Sequence, residues 1–538
     1  MLAGIRDETP HRTDPLVAPA AAVAPTIGRR RAVTARLSAL LLFVGAVAWF
    51  GWGVGTPEAW SDEAVTVLTI ERPWSAVWSL WNSGDATLTP YYLALKAWSE
   101  AAHWLGFAPG VTVARSFSVA AAAAATACLY LLVHRSAGEL TALLAGVVFM
   151  ALPGVSRYAQ EARPYALLMA AAAFSWLLAD SLWRAADAAP GQVRPRTRLT
   201  YTLSLVVLAL TNLFGLLQWV AQACAALIGR PRWPRLRVPL PQAIAATGLV
   251  AVPVAIMATR GSGARVPSEV NAFTVTDMLQ VVALHVGAPP LLGLFLLLLT
   301  CCGLLGLRTQ RLRGFVVRVL IWLVVPALLA TVFALVRSQL FRVRYWMPAA
   351  LPIAVLAAIG IAEVAGAVAG VWQRQADRSW AARATRVTVA AALLVALWVA
   401  MLPLNQRFRA PDGHDATLGP VIARILELRA EQPGMAVLVA SPGQSVVFAT
   451  SPAPGVYRQN VYLNTELRPE SVYPAVESFA RLSERLTDRD RVLVIRMVPT
   501  AASATSDETA AQRLAKLGFR ATSDWTELSG WQLREYRR

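Results

Sequence analysis

The chain has 538 residues, of which 56% are hydrophobic and only 15% charged, with a mean hydropathy of +0.49. A soluble chain carries about a quarter charged residues, so the composition excludes a soluble globular protein and defines an integral membrane protein. The net charge of +18 does not point to nucleic acid, because the arginines fall in short clusters between apolar runs instead of forming a basic groove interleaved with aromatics.

Residues 1–35 are polar and rich in Pro and Ala, with Arg29-Arg30-Arg31 near their end, and are expected to form a disordered cytoplasmic segment. The apolar run 37–54 follows with no evident cleavage site, which reads as a signal anchor. Further runs at about 115–133, 139–155, 164–183, 200–211, 213–228, 240–259, 288–307, 316–336, 346–370 and 386–403 are membrane-helix candidates by length and composition. The stretch 200–228 is too long for one span and too short for two full ones. Its middle, Leu210–Gly215, reads as a tight hairpin joining two shorter or tilted helices.

The stretch 90–107 is interrupted by Lys96, Glu100 and His103 and carries its aromatics at helical spacing, so an amphipathic helix on the membrane surface is predicted. With that choice the Arg clusters at 29–36, 134–135, 184–198, 230–237, 308–318 and 374–386 share one side, which the positive-inside rule makes cytoplasmic. The expected topology has about eleven spanning helices, the N-terminus inside and the C-terminus outside. Arg337, Arg342 and Arg344 then land on the outer face against the rule, which marks them for function.

From about residue 404 the composition becomes that of a soluble domain. Apolar runs Ala436–Ala440 and Arg491–Val498 read as strands, and Ser471–Leu486 and Glu508–Leu517 as helices. The predicted fold is therefore an α-helical polytopic membrane domain, 36–403, followed by an extracytoplasmic α/β domain, 404–538. The four cysteines, Cys128, Cys224, Cys301 and Cys302, all lie in apolar runs and suggest neither a disulfide framework nor a zinc motif.

Four groups of residues carry candidate chemistry, all on the expected outer side. Asp62 and Glu63 follow the first helix and offer a carboxylate to take a proton from a hydroxyl; an N-terminal helix turn with Ser61 as its cap is the structural alternative. Asp85, Tyr91 and Lys96 come next, Lys96 being the only lysine in the membrane part and a point charge suited to a lipid phosphate. The segment Ser156–Tyr165 packs Arg157, Tyr158, Gln160, Glu161, Arg163 and Tyr165 into a short outer connection, far too polar for a mere linker. Arg342, Arg344 and Tyr345 stand at the outer mouth of the tenth helix, where arginine can clamp a phosphate bidentately. His285, in the outer loop 260–288, is a further possible donor. Cations for a phosphate leaving group, a carboxylate for a hydroxyl and aromatic faces for sugar rings thus gather on one side.

In order and placement these pieces resemble the GT-C glycosyltransferases, in the branch holding protein O-mannosyltransferases, aminoarabinose transferases of lipid A and bacterial family 39 enzymes. The residues carrying the resemblance are Asp62-Glu63, Asp85 with Pro90-Tyr91-Tyr92, Arg115-Ser116, Tyr158–Tyr165, Leu210–Gly215 and Arg344-Tyr345 with Pro348, over about residues 36–403. The resemblance implies inverting transfer of a sugar from a polyprenyl monophosphate. The actinobacterial-looking, Ala- and Arg-rich composition makes mannose or arabinofuranose the expected sugar, and a cell-envelope glycan, glycolipid or protein the acceptor. The resemblance maps the base to Asp62, with Glu63 beside it, and the donor phosphate to Lys96 and Tyr345. Where several members carry an Asp before the fourth helix, the nearest acid here is Glu161. No metal or other cofactor is required by this chemistry, and none is expected. A transporter or flippase of lipid-linked sugars would use the same cations without a base; Asp62→Asn separates the two.

Overall fold

The computed structural model describes residues 24–188, 193–227, 239–260, 290–336, 343–375, 379–414, 417–440, 442–469, 471–498 and 504–538. Each of the eleven expected apolar stretches is helical: α1 (Ala24–Gly51), α5 (Val111–Ala137), α6 (Glu139–Ala151), α8 (Tyr165–Ala188), α9 (Pro195–Thr211), α10 (Leu216–Ala226), α11 (Pro239–Arg260), α12 (Pro290–Cys302), α13 (Gln310–Val336), α14 (Ala350–Gln375) and α15 (Ser379–Arg407). Among the described residues, seven helices are long and apolar enough to cross a membrane. An eighth is obtained if α6 and α7 (Pro153–Ala159) form one span bent by 67°. The bend falls at Leu152, extended at φ −62°, ψ 121° because Pro153 follows it and disfavours the helical conformation. The protein is a multi-pass membrane protein; large apolar side chains such as Leu40, Leu41, Leu249, Val252 and Leu335 face outward from the bundle, as lipid-facing residues do.

Helix α1 begins at Ala24, well inside the segment expected to lack structure. The hairpin at 210–215 is present: Asn212 leaves the helix, its side chain accepts from the Phe214 amide at 2.9 Å, and α10 runs back. Small residues let helices touch backbone to backbone. A β-carbon on Gly360 of α14 would stand 2.0 Å from the Leu299 carbonyl of α12, and one on Gly303 would stand 2.2 Å from the Leu356 carbonyl of α14.

Between α1 and α5 the chain folds three helices at the end of the bundle: α2 (Ser61–Ile70), α3 (Trp74–Ser79) and α4 (Thr89–Trp104). Helix α4 occupies the stretch expected to form a surface helix. Pro90 opens it, where a missing N–H costs nothing, and exposed Trp104, Leu105 and Phe107 mark its far end for the membrane interface.

The C-terminal region is built on a sheet ordered β1 (Ala436–Val439), β4 (Arg491–Met497), β7 (Trp531–Arg537) and β5 (Arg520–Ala521), with β6 (Thr526–Leu528) also pairing β7. Strands β1 and β4 are parallel, with Val437 opposite Leu493; β4 and β7 are antiparallel, with Ile495 opposite Leu533. Ala436, Leu438, Val492, Val494 and Tyr536 pack under α17 (Phe479–Arg485) and α18 (Ala504–Lys516). The alternate residues, Val437, Val439, Leu493, Ile495 and Leu533, join a core that continues through α16 (Gly419–Glu431) into Ala64, Val65 and Val67 of α2, Val77 of α3 and Tyr91, Tyr92 and Leu95 of α4. The first loop of the membrane part and the C-terminal region therefore share one hydrophobic core. Glu58 reinforces the join, its carboxylate accepting from the Leu418 and Gly419 amides at the start of α16.

The expected helix over 471–486 is shorter than predicted. Only Phe479–Arg485 is helical, and 475–476 forms a strand, β3 (Ala475–Val476), paired with β2 (Leu463–Asn464). Pro474 biases Tyr473 away from the helix, and the Ser471 hydroxyl turns the backbone by accepting from the Tyr473 amide at 3.2 Å.

Candidate active site

Trp60 is extended at φ −85°, ψ 171° and α2 starts at Ser61 without a side-chain cap, so Ser61 does not play the capping role considered for it. Asp62 and Glu63 sit in the first turn, and on a helix adjacent side chains diverge by about 100°. They accordingly reach different places.

Asp62, with 20% of its side chain exposed, faces two guanidinium groups. Its Oδ2 lies 3.3 Å from Arg163 Nη2 and 3.3 Å from Arg344 Nη2. Arg163 comes from the turn before α8, and Arg344 from the 3₁₀ segment Val343–Ala349 at the start of α14. Arg344 is layered against Trp60 and Tyr165, its guanidinium carbon 5.3 and 5.7 Å from the two ring centres. Tyr158 meets Tyr165 edge-on at 5.0 Å. Asp85 lies close enough to feel both neighbours: burial raises its pKa, Arg163 opposes the rise and the Asp62 charge adds to it. Around this cluster several buried polar atoms have no hydrogen-bond partner among the described residues, namely the donors Trp60 Nε1, Tyr92 Oη, Arg163 Nε and Arg344 Nε and the two carboxylate oxygens of Glu161. The four donors left in this state suit an oxygen-rich ligand.

Glu63 turns the other way and is fully buried. Arg115 Nε and Nη2 donate to its two oxygens at 2.8 and 2.7 Å, and the Ala162 amide donates to Oε1 at 2.8 Å. His414 Nδ1 lies 3.3 Å from Oε2. Burial alone would raise the Glu63 pKa, but Arg115 and His414 outweigh it and hold the carboxyl at about 2. Glu63, expected beside Asp62 as a base, is instead a clamp joining α2, α5, the turn before α8 and the segment after α15.

Other expectations change in the same way. Gln160 donates its amide to the Phe50 and Trp52 carbonyls, both at 2.7 Å, and so ties off the end of α1 instead of lining the cluster. Lys96 is buried at the opposite end of α2 from Asp62, roughly 12 Å along the helix axis; it donates to the Ile70 carbonyl at 3.1 Å and pairs with Glu100 at 2.9 Å. Tyr91 packs against Phe117 inside the shared core. Tyr345 stacks on Phe214 at 4.6 Å and lines a narrow apolar groove with Leu217, Trp322, Pro326 and Trp346. Glu161 is buried beside the cluster, with Arg157 Nε 4.0 Å away, and burial pushes its pKa up to about 7. Arg342 and His285 lie outside the described residues.

The structure thus brings Asp62, Asp85, Tyr158, Glu161, Arg163, Tyr165 and Arg344 to one place. Sequence reasoning missed Trp60 and His414 as site residues, and took Tyr92 and Arg115 only as parts of a pattern. A lone arginine entering an apolar run was the available signal for Arg115; His414, far along the chain, offered none. Among the described residues, no three His, Cys, Asp or Glu side chains converge as a metal site.

The architecture is a GT-C fold, a helical membrane domain with its site at one end of the bundle and an α/β domain docked over it. It is similar to ArnT from Cupriavidus metallidurans, solved bound to undecaprenyl phosphate and in the apo state, with TM-scores of 0.50 and 0.51 at 14% identity. Both alignments cover 92% of this chain and 97% of that one. A weaker likeness, TM-score 0.45 at 11% identity over 85% of this chain and 69% of the other, is to the archaeal oligosaccharyltransferase AglB from Archaeoglobus fulgidus in complex with an inhibitory peptide and a dolichol-phosphate. No family model matches the sequence, and no curated protein matches it.

Proposed function

We propose that the protein is an inverting glycosyltransferase that moves a sugar, mannose or arabinofuranose, from a polyprenyl monophosphate to a hydroxyl of a cell-envelope glycan, glycolipid or protein. The observation that carries this reading is Asp62 held between Arg163 and Arg344 at the end of a membrane bundle. Both contacts are longer than the roughly 2.7–2.9 Å of a tight charged hydrogen bond, so a phosphate can compete for the two guanidiniums. The fold's likeness to a protein solved with undecaprenyl phosphate supports a lipid-phosphate donor.

In this scheme the donor phosphate draws Arg163 and Arg344 to itself and leaves the Asp62 carboxylate free. Asp62 takes the proton of the acceptor hydroxyl as its oxygen bonds to the anomeric carbon, on the face opposite the phosphate. The bond between that carbon and the phosphate oxygen breaks, and the polyprenyl monophosphate departs with its charge stabilised by the two arginines. One displacement inverts the anomeric configuration. The same reading puts the Arg-rich loops in the cytoplasm and the active site and C-terminal region outside it.

The test uses purified protein and radiolabelled polyprenyl-phosphate mannose and arabinofuranose. Wild type should transfer label and Asp62→Asn should not, although it binds donor. Binding of these donors without turnover by the wild type would favour transport instead.

A further inference from the structure

One peptide group in the connection before α8 is gripped at both ends. Its N–H, that of Ala162, donates to Glu63 Oε1 at 2.8 Å. Its carbonyl, that of Glu161, accepts from the Ser118 hydroxyl at 2.6 Å and from the Arg163 amide at 2.8 Å. Glu63 belongs to α2 and Ser118 to α5, so two helices fix the plane of a single peptide. Ser118, Glu63 and Ala162 are all buried, which keeps both grips away from solvent.

Ser118 does not serve its own helix. A serine or threonine inside a helix often bonds the carbonyl four residues back, and Thr126 of α5 does so, donating to Ala122 at 2.9 Å. The Ser118 hydroxyl crosses instead to a residue 43 positions along the chain. Ser118 stands three residues after Arg115, on the same face of α5, and Arg115 holds Glu63. One face of α5 therefore reaches the Glu161–Ala162 peptide twice, directly through Ser118 and by way of Glu63 through Arg115.

The residue that follows this peptide is Arg163. Pro164 comes next and disfavours the helical conformation at Arg163, so the arginine backbone is constrained from both sides. Its guanidinium lies 3.3 Å from Asp62 Oδ2 and 3.5 Å from Thr66 Oγ1, both long contacts, and its Nε has no hydrogen-bond partner among the described residues. The short bonds hold the backbone and the long ones meet the guanidinium. Arg163 is thus aimed from behind while its charged end stays available to a ligand.

We infer that Ser118 is a positioning residue, which holds the Glu161–Ala162 peptide so that Arg163 points at the donor phosphate. This rests on the transferase reading above and adds to it a residue outside the Asp62 cluster.

The test is a double-mutant cycle on purified full-length protein, with radiolabelled polyprenyl-phosphate mannose and arabinofuranose as donors and octyl α-mannoside as a soluble hydroxyl acceptor. A displacement of about 1 Å in a site can cost on the order of 10² in rate. Ser118→Ala should lower kcat at least tenfold, while the unfolding temperature stays within a few degrees of wild type. Added to Arg163→Ala, the same change should alter kcat less than twofold, because the group it aims is gone. Added to Glu161→Gln, it should cost its full tenfold, since the Glu161 side chain is not the route. An unchanged kcat in Ser118→Ala, an equal loss with and without Arg163, or an effect that vanishes with Glu161→Gln would each overturn the assignment while the transferase reading stands. A wild-type protein that turns over neither donor would overturn both.

Discussion

Arg115 forks onto Glu63 through two hydrogen bonds of 2.8 and 2.7 Å, and the side chains of both residues are almost completely withdrawn from solvent. Asp62, one residue earlier, is the partly open neighbour. The two acids should therefore fail differently when altered. Removing one partner of a buried ion pair costs about 3–5 kcal/mol, so Glu63→Ala should sharply lower the unfolding temperature in detergent. Asp62→Asn should leave that temperature within a few degrees and lower transfer by on the order of 10²–10⁴. Thermal unfolding and label transfer, measured on the same preparations, give the comparison.

The arginines that face Asp62 should act as a unit. Loss of one preorganised group at a developing charge costs about 10²–10³ in rate, which is the drop expected in kcat for Arg163→Ala and for Arg344→Ala. The double variant should lose less than the product of the two, because in the proposed mechanism both serve the same phosphate and the same carboxylate. Arg344→Lys should not restore activity, since an ammonium cannot layer flat between Trp60 and Tyr165.

Stability should respond to pH through two buried acids of opposite sign. Glu63 is held down at about 2, so its contribution is present above the ordinary carboxylate range, near 4.5, and is lost as pH falls through 2. Glu161 is pushed up to about 7, so its contribution is full below about 4.5 and is lost as pH rises toward 7. Glu161→Gln should flatten the decline in unfolding temperature between pH 4.5 and 7 and raise it at pH 8. An unchanged profile in that variant would show that the group does not titrate there.

Gly360→Ala should loosen the contact of α12 with α14, because the added carbon meets the Leu299 carbonyl and not a flexible side chain. Overpacking of this kind costs about 1–3 kcal/mol. A lower unfolding temperature with unchanged donor KM in the surviving protein is the expected result.

Membrane helices were legible in the sequence because the bilayer imposes length and apolarity segment by segment, and the breaks between apolar runs were legible with them, as the hairpin at Asn212 shows. The polar residues 156–165 were legible as a group for the same reason: charge beside an apolar run is conspicuous. What each does was not. Gln160 and Arg163 stand three residues apart, and only tertiary packing sends one to the end of α1 and the other to Asp62. Strand β7 was missed because charged residues interrupt its alternation, Trp531-Gln532-Leu533-Arg534-Glu535-Tyr536, although both of its edges are paired.

The core shared by α2 and the β1–β4–β7 sheet has a consequence for synthesis. A ribosome finishes the helix that carries Asp62 long before it reaches Val437, Leu493 and Leu533, the side chains that complete the packing around that helix. Until those late residues arrive, the apolar face of α2 is covered only in part, by residues such as Val77, Tyr91, Tyr92 and Leu95, and Arg72 lacks the carbonyls of Arg468, Pro469 and Ser471. A chain stopped near residue 404, with all its membrane helices in place, would leave α2 only partly packed, with apolar surface exposed. The core around α2 is complete only when the last strand, β7, has been made.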